Sequence, residues 1–218
     1  MKKSRIAFVC SDCGSEYAKW QGQCHDCGVW NTLKQLNLGS AKASHRRDGF
    51  TGVIEEARTL DQVDVSSTLR IPTLSAEINR VLGGGLVPGS AILISGSPGA
   101  GKSTLLIQVL CELAQNYSAL YVTGEESLSQ IALRATRLKL PLDKVKVMSQ
   151  TAVEDISHTW DKLKPTILVI DSIQVMQSDS VESAPGSVTQ VRESAATLIQ
   201  KAKQTNTVLF LVGHVTKD

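Results

Sequence analysis

The residues best suited to chemistry lie in Gly96-Ser97-Pro98-Gly99-Ala100-Gly101-Lys102-Ser103, a match to G-x-x-x-x-G-K-[ST] at every fixed position. Glycines at that spacing let the chain turn tightly, so that successive backbone N–H groups converge on phosphate oxygens. A helix beginning there adds its positive dipole end. Lys102 is expected to reach the β- and γ-phosphates of ATP, Ser103 to ligate Mg²⁺ through its hydroxyl, and Thr104 to continue the loop into the helix. The flanks agree. Residues 91–94 (Ala-Ile-Leu-Ile) read as a buried strand and residues 103–114 as a helix, the context in which this motif binds a nucleoside triphosphate.

Three further side chains complete a hydrolytic set. Asp171 ends the apolar run at 167–170, and ligands of open α/β sheets sit at the carboxyl ends of strands. It is expected to hold Mg²⁺ directly or through water. Thr123-Gly124-Glu125-Glu126 ends the strand after the loop helix, where a carboxylate can polarise water for in-line attack. Glu125 is the first choice and Glu126 the second; both could instead simply open the next helix. His214 ends the last apolar run and either senses the γ-phosphate or is a buried structural histidine.

A second chemistry sits at the front. Cys10-x2-Cys13 and Cys24-x2-Cys27 are separated by ten residues, and each pair is followed by glycine (Gly14, Gly28). Two such knuckles complete the four-thiolate tetrahedron of structural Zn²⁺ and leave no open coordination position. A segment this short cannot bury a core, so metal binding would supply its folding free energy. A hairpin is expected within residues 15–23, His25 in solvent, and Trp20 and Trp30 packed against the knuckles. A nucleic-acid or protein contact through the ribbon stays open.

These groups need a scaffold. Apolar strands alternate with amphipathic helices from residue 91 to 213, which means a parallel sheet with helices on both faces. Residues 75–82 read as a short helix capped by Ser75, with Ile78, Val81 and Leu82 on one face; Cys111 reads as core. Residues 37–67 carry Gly, Ser and charge without apolar period, including His45-Arg46-Arg47, and read as a linker. The expected organisation is a ribbon at 1–36, the linker, and an ATPase domain at 68–218. Net charge is +2 over the 218 residues, but residues 1–50 hold eight Lys/Arg against four Asp/Glu, so only the front is mildly basic. No run of 18 apolar residues exists and residues 1–9 lack a signal-peptide core, so a cytoplasmic location and no membrane partner are expected.

As a set, the two-knuckle ribbon, residues 80–89 (Arg-Val-Leu-Gly-Gly-Gly-Leu-Val-Pro-Gly), the phosphate loop, Tyr121-Val-Thr-Gly-Glu-Glu-Ser127, Val169-Ile-Asp-Ser-Ile-Gln174 and residues 213–218 resemble the bacterial RadA (Sms) family. The resemblance implies a RecA-like ATPase core that binds single-stranded and branched DNA, assembles as a homo-oligomeric ring and promotes branch migration with the recombinase RecA. It makes Glu125 the water activator and His214 a sensor coupling nucleotide state to a DNA-facing loop. Members continue into a Lys-Asn-Arg-Phe-Gly motif and a domain like that of Lon proteases. Neither is present here, so the ATPase core is expected to be incomplete at its C-terminal end. The alternative is a nucleotide-gated assembly module in which the ribbon holds a protein partner.

Overall fold

The computed structural model describes residues 5–38, 59–62 and 69–214. Most of the expected linker, His45-Arg46-Arg47 and residues 215–218 lie outside the described residues.

The front forms a three-stranded antiparallel sheet of β1 (Arg5–Cys10), β2 (Glu16–Tyr17) and β3 (Leu33–Leu38), in the order β2-β1-β3. The expected hairpin within the ten-residue spacer does not form. Glu16 and Tyr17 pair back onto Val9 and Phe8, and Gln23 bridges Trp30. Each knuckle is itself the reversal, so the chain before it pairs with the chain after it.

The main body begins with α1 (Ala76–Val81), whose N-cap Ser75 accepts from the Ile78 N–H. Then come β4 (Ala91–Gly96), α2 (Lys102–Leu113), β5 (Ala119–Thr123), α3 (Leu128–Arg137), β6 (Val145–Ser149), α4 (Val153–Leu163), β7 (Ile167–Asp171), α5 (Val188–Gln204) and β8 (Val208–His214). The five strands form one parallel sheet in the order β4-β8-β7-β5-β6. A parallel sheet with helices on both faces is what the alternation predicts, and helices do cover both faces; the α/β, RecA-like core is the one the resemblance implies. Alternate residues of each strand point to opposite faces. Tyr121, Val169 and Phe210 therefore meet Leu106, Leu110 and Ile131 of α2 and α3, while Leu120, Ile170 and Leu211 meet Ile156, Trp160 and Leu198 of α4 and α5.

Two expectations need correction. β4 is an edge strand, not a buried one, and leaves Leu93 62% exposed. An apolar run marks a strand but does not tell an edge from a centre. Val81 is exposed rather than on the packed face of α1, where Ile78 and Leu82 do face the core.

What the site needs from this fold is the register. Thr123 lies opposite Asp171 on β5 and β7, and Ser95 and Gly96 lie opposite Gly213 and His214 on β4 and β8. Four carboxyl ends thus share one rim.

Behind that rim, Trp160 is buried and its indole N–H donates to Thr207 Oγ1 at 3.1 Å, while the same hydroxyl donates to the Pro165 carbonyl at 2.8 Å. Thr207→Val keeps the shape and removes the hydroxyl from the indole N–H, the Pro165 carbonyl and the Thr205 hydroxyl, 3.0 Å away. It is expected to cost about 1–3 kcal/mol, read as a lower urea midpoint with unchanged slope. An unmoved midpoint would contradict this role for the hydroxyl.

Candidate active site and metal centre

The rim encloses a cleft of ≈ 330 Å³ lined by the loop residues Pro98, Gly99, Gly101, Lys102, Ser103 and Thr104, together with Thr123, Glu125, Glu126, Arg134, Asp171 and His214. Gly96, Ser97 and Ala100 belong to the same loop but are not among its walls. Lys102, Ser103, Glu125, Asp171 and His214 come together there from the start of α2, the turn after β5 and the ends of β7 and β8.

Lys102 is only 8% exposed. Its ammonium lies 2.8 Å from the Gly96 carbonyl, 3.0 Å from that of Ser97 and 3.2 Å from Nδ1 of His214. An ammonium offers three donors and no acceptor, so it donates to Nδ1 and the ring proton falls on Nε2. Nε2 in turn faces Glu125 Oε1 at 3.7 Å, and the same carboxylate accepts from the Ser172 hydroxyl. Lys102, His214, Glu125 and Ser172 therefore form one polar chain across four strand ends.

Glu126 has a different environment. Both of its oxygens are taken by one nitrogen of Arg134, two turns along α3, with the pair largely shielded from water. That carboxylate partner holds the Arg134 guanidinium above its ordinary pKa. The other terminal nitrogen, Nη1, is buried without a hydrogen-bond partner among the described residues. The two adjacent glutamates are thus divided: Glu125 faces the phosphate loop and Glu126 is tied to α3. Their turn depends on Gly124, where a Cβ would stand 2.4 Å from Val175 Cγ2 and 3.1 Å from Met176 Cε.

Asp171 is buried and accepts from the hydroxyl of Tyr121. Burial, then the nearby Asp171 charge, raise the Tyr121 pKa well above the usual phenol value, so it remains a donor. Two cations, Lys102 and Arg134, line the cleft against three carboxylates, Glu125, Glu126 and Asp171. Acidic walls and a polyphosphate repel unless a cation stands between them, and the oxygen donors Ser103 and Asp171 suit a hard divalent ion.

Tyr121, Arg134 and Ser172 were not singled out from the sequence. Tyr121 reads as one more apolar residue in a strand, although a buried phenol needs a partner, and that requirement was the available signal. Ser172 lies in the family-like stretch 169–174, but its residue type alone assigns it no role.

The front of the chain holds the second centre. Sγ atoms of Cys10 and Cys27 are 3.7 Å apart, those of Cys13 and Cys24 are 3.4 Å apart, and all four lie within 4.8 Å of one another. A tetrahedral ion with Zn–S bonds of about 2.3 Å needs sulfurs about 3.8 Å apart, whereas a disulfide needs about 2.0 Å. The glycines after the pairs serve the knuckles directly. Gly14 (φ 78°) and Gly28 (φ 73°) take the left-handed conformation and donate to the carbonyls of Cys10 and Cys24. A hydrogen bond to Tyr17 brings Cys24 down to about 6. The Val29 N–H favours the Cys27 thiolate, but burial and hydrogen bonds with Cys24, Cys13 and Cys10 outweigh it and push that thiol up to about 12. Four crowded thiols cannot all ionise alone; a dication removes the conflict.

His25 is exposed, as expected, and Cys111 is buried in the main core, where burial pushes its thiol up to about 11. Trp20 and Trp30 depart from expectation. They are 59% and 66% exposed and bracket Gly22 instead of packing against the knuckles. A ribbon whose interior is its sulfur cluster has no volume for two indoles.

Comparison with known proteins bears on both centres. The sequence profile of the AAA domain matches residues 56–218, and that of the rubredoxin metal binding domain matches residues 8–35. The chain is 52% identical over 221 residues to a Haemophilus influenzae protein named DNA repair protein RadA. Identity is 51% over 218 residues to the Pseudomonas aeruginosa protein of that name and 48% over 222 residues to that of Escherichia coli K12. Each alignment takes in 100% of this chain and 48% of the relative, so the chain spans about half the length of these curated relatives.

Cys27→Ser is expected to release the ion and unfold the ribbon while the parallel sheet keeps its unfolding transition. Metal content together with amide spectra of the two regions checks this. A ribbon that keeps its fold in excess chelator would contradict it.

Proposed function

We propose that this chain, which belongs to the AAA domain family, hydrolyses ATP with Mg²⁺ and does so as part of a motor that acts on single-stranded DNA in recombinational repair. The observation that carries the hydrolytic reading is the convergence of Lys102, Glu125, Asp171 and His214 on the cleft beside the phosphate loop.

On this reading Lys102 leaves the Gly96 and Ser97 carbonyls for the β- and γ-phosphates. Ser103 and Asp171 would hold the Mg²⁺, which when bound neutralises the charge spread over the phosphate oxygens. Glu125 takes a proton from the attacking water as its oxygen bonds to the γ-phosphorus and the bond to ADP breaks. Ser172 and His214 hold the Glu125 carboxylate on the loop side; Glu126 has both oxygens taken by Arg134 and none turned to the water. His214 is also the sensor. When Lys102 turns to phosphate, Nδ1 loses its donor, and the change passes to the segment that follows β8.

Three features support a DNA substrate: the shared name of the relatives, the mildly basic front, and the exposed indoles of Trp20 and Trp30, on which bases can stack. Branched DNA, a homo-oligomeric ring and action with a recombinase of the RecA type complete the proposal and rest on the resemblance. Among the described residues no helix is long and apolar enough to cross a membrane.

Two measurements test this reading. Glu125→Gln is expected to lower ATP turnover about 10²–10⁴-fold while retaining nucleotide binding, Glu126→Gln to lower it less, and Lys102→Ala to serve as the blank. Equal losses at both glutamates would refute the division of roles. Turnover should also rise with single-stranded DNA. ATP-dependent change of oligomer with no response to DNA would refute the motor and favour the nucleotide-gated assembly module.

A further inference from the structure

Beneath the cleft, the hydroxyl of Tyr121 is bonded to a carboxylate oxygen that the hydrolytic reading uses. Tyr121 is 1% exposed, at the middle of a central strand and packed among the α2 and α3 side chains. A buried phenol without a partner would lose the water it bonded when unfolded, and the partner it finds is Oδ2 of Asp171. The register makes this geometry hard to avoid. Tyr121 pairs with Val169 and Thr123 with Asp171, so the two side chains sit on neighbouring strands, two residues apart along the sheet and on one face.

A carboxylate left to itself turns about its last torsion and presents either oxygen, or both, to an approaching cation. With Oδ2 held from below by Tyr121, the Asp171 plane is set and Oδ1 is the oxygen left for the cleft. Neither Arg134 nor Lys102 is hydrogen-bonded to Asp171: Arg134 is occupied by Glu126, and Lys102 by the loop carbonyls and His214. The phenol is the one side-chain donor on this carboxylate among the described residues.

We infer that Tyr121 is a positioning residue for the divalent cation, fixing Asp171 so that one oxygen faces the ion or its water. This rests on the nucleotide-hydrolase reading above. Partners that orient a metal-ligating group are typically worth 10–100-fold in metal affinity; for a ligand shared with water and phosphate, the lower end applies.

The test is Tyr121→Phe in the 218-residue chain, with a fluorescent ATP analogue titrated in EDTA and then with increasing Mg²⁺. In EDTA the variant should bind within twofold of the unsubstituted chain. The Mg²⁺ concentration at half-maximal enhancement should rise about tenfold. In an Asp171→Asn background the same substitution should add nothing. An unchanged Mg²⁺ midpoint would overturn the inference alone, as would an equal weakening with and without the ion, a full effect that persists in the Asp171→Asn background, or a variant that unfolds, since the hydroxyl would then serve the sheet. If the unsubstituted chain shows no Mg²⁺-dependent binding, the hydrolase reading falls and this inference with it.

Discussion

The structure depends on the parallel register of four strands that are far apart in sequence. β4, β8, β7 and β5 lie side by side, and pairing in register sets Thr123 beside Asp171 and, two residues further along the sheet, Gly96 beside His214. Parallel pairing is possible only because a helix returns the chain across the sheet between successive strands. Those helices bury both faces, and the buried faces lock the register. A slip of one residue on β7 would move Leu168 and Ile170 off the α4 and α5 face and carry Asp171 away from Tyr121. Core packing and placement of chemical groups are one constraint.

Within the cleft, electrostatics sorts groups of the same kind into different tasks. Two adjacent glutamates would be equivalent in an unfolded chain. In the fold, Arg134 takes both oxygens of Glu126, while Glu125 meets a hydroxyl and an imidazole. Both Glu126 oxygens are taken, whereas Ser172 and His214 both meet Oε1 of Glu125 and leave its Oε2 to the cleft. Lys102 is in the reverse position. Its ammonium is satisfied by the Gly96 and Ser97 carbonyls and by Nδ1 of His214, so it is not a bare buried charge.

The ribbon obeys different physics. Its interior is four sulfurs, and its strands are too short to bury a hydrophobic centre of their own. Left-handed glycines after each cysteine pair turn backbone N–H groups back toward the cysteine carbonyls, which leaves the sulfurs converging. The indoles are left at the surface.

Much of this was legible in the residues. Glycine spacing with Lys102 and Ser103 depends on local backbone geometry, as do the two cysteine knuckles, and local geometry is written in consecutive residues. The strand and helix alternation follows from periodicity for the same reason, and the places of Asp171 and Glu125 at strand ends are legible because strand ends show as the ends of apolar runs. Other features were not legible, because they are pairings between distant segments. That β4 is an edge, that Trp20 and Trp30 face solvent, and that the knuckles make the hairpins all depend on which strand lies beside which. The partners Tyr121, Arg134 and Ser172 became visible only when β5, β7 and α3 were laid against one another. Which chemical groups the chain carries, and the local turns that present them, can be read along the chain. Tertiary structure decided which of those groups touch, because hydrogen bonds and ion pairs reach only about 3 Å and no pattern along the chain states a distance across it.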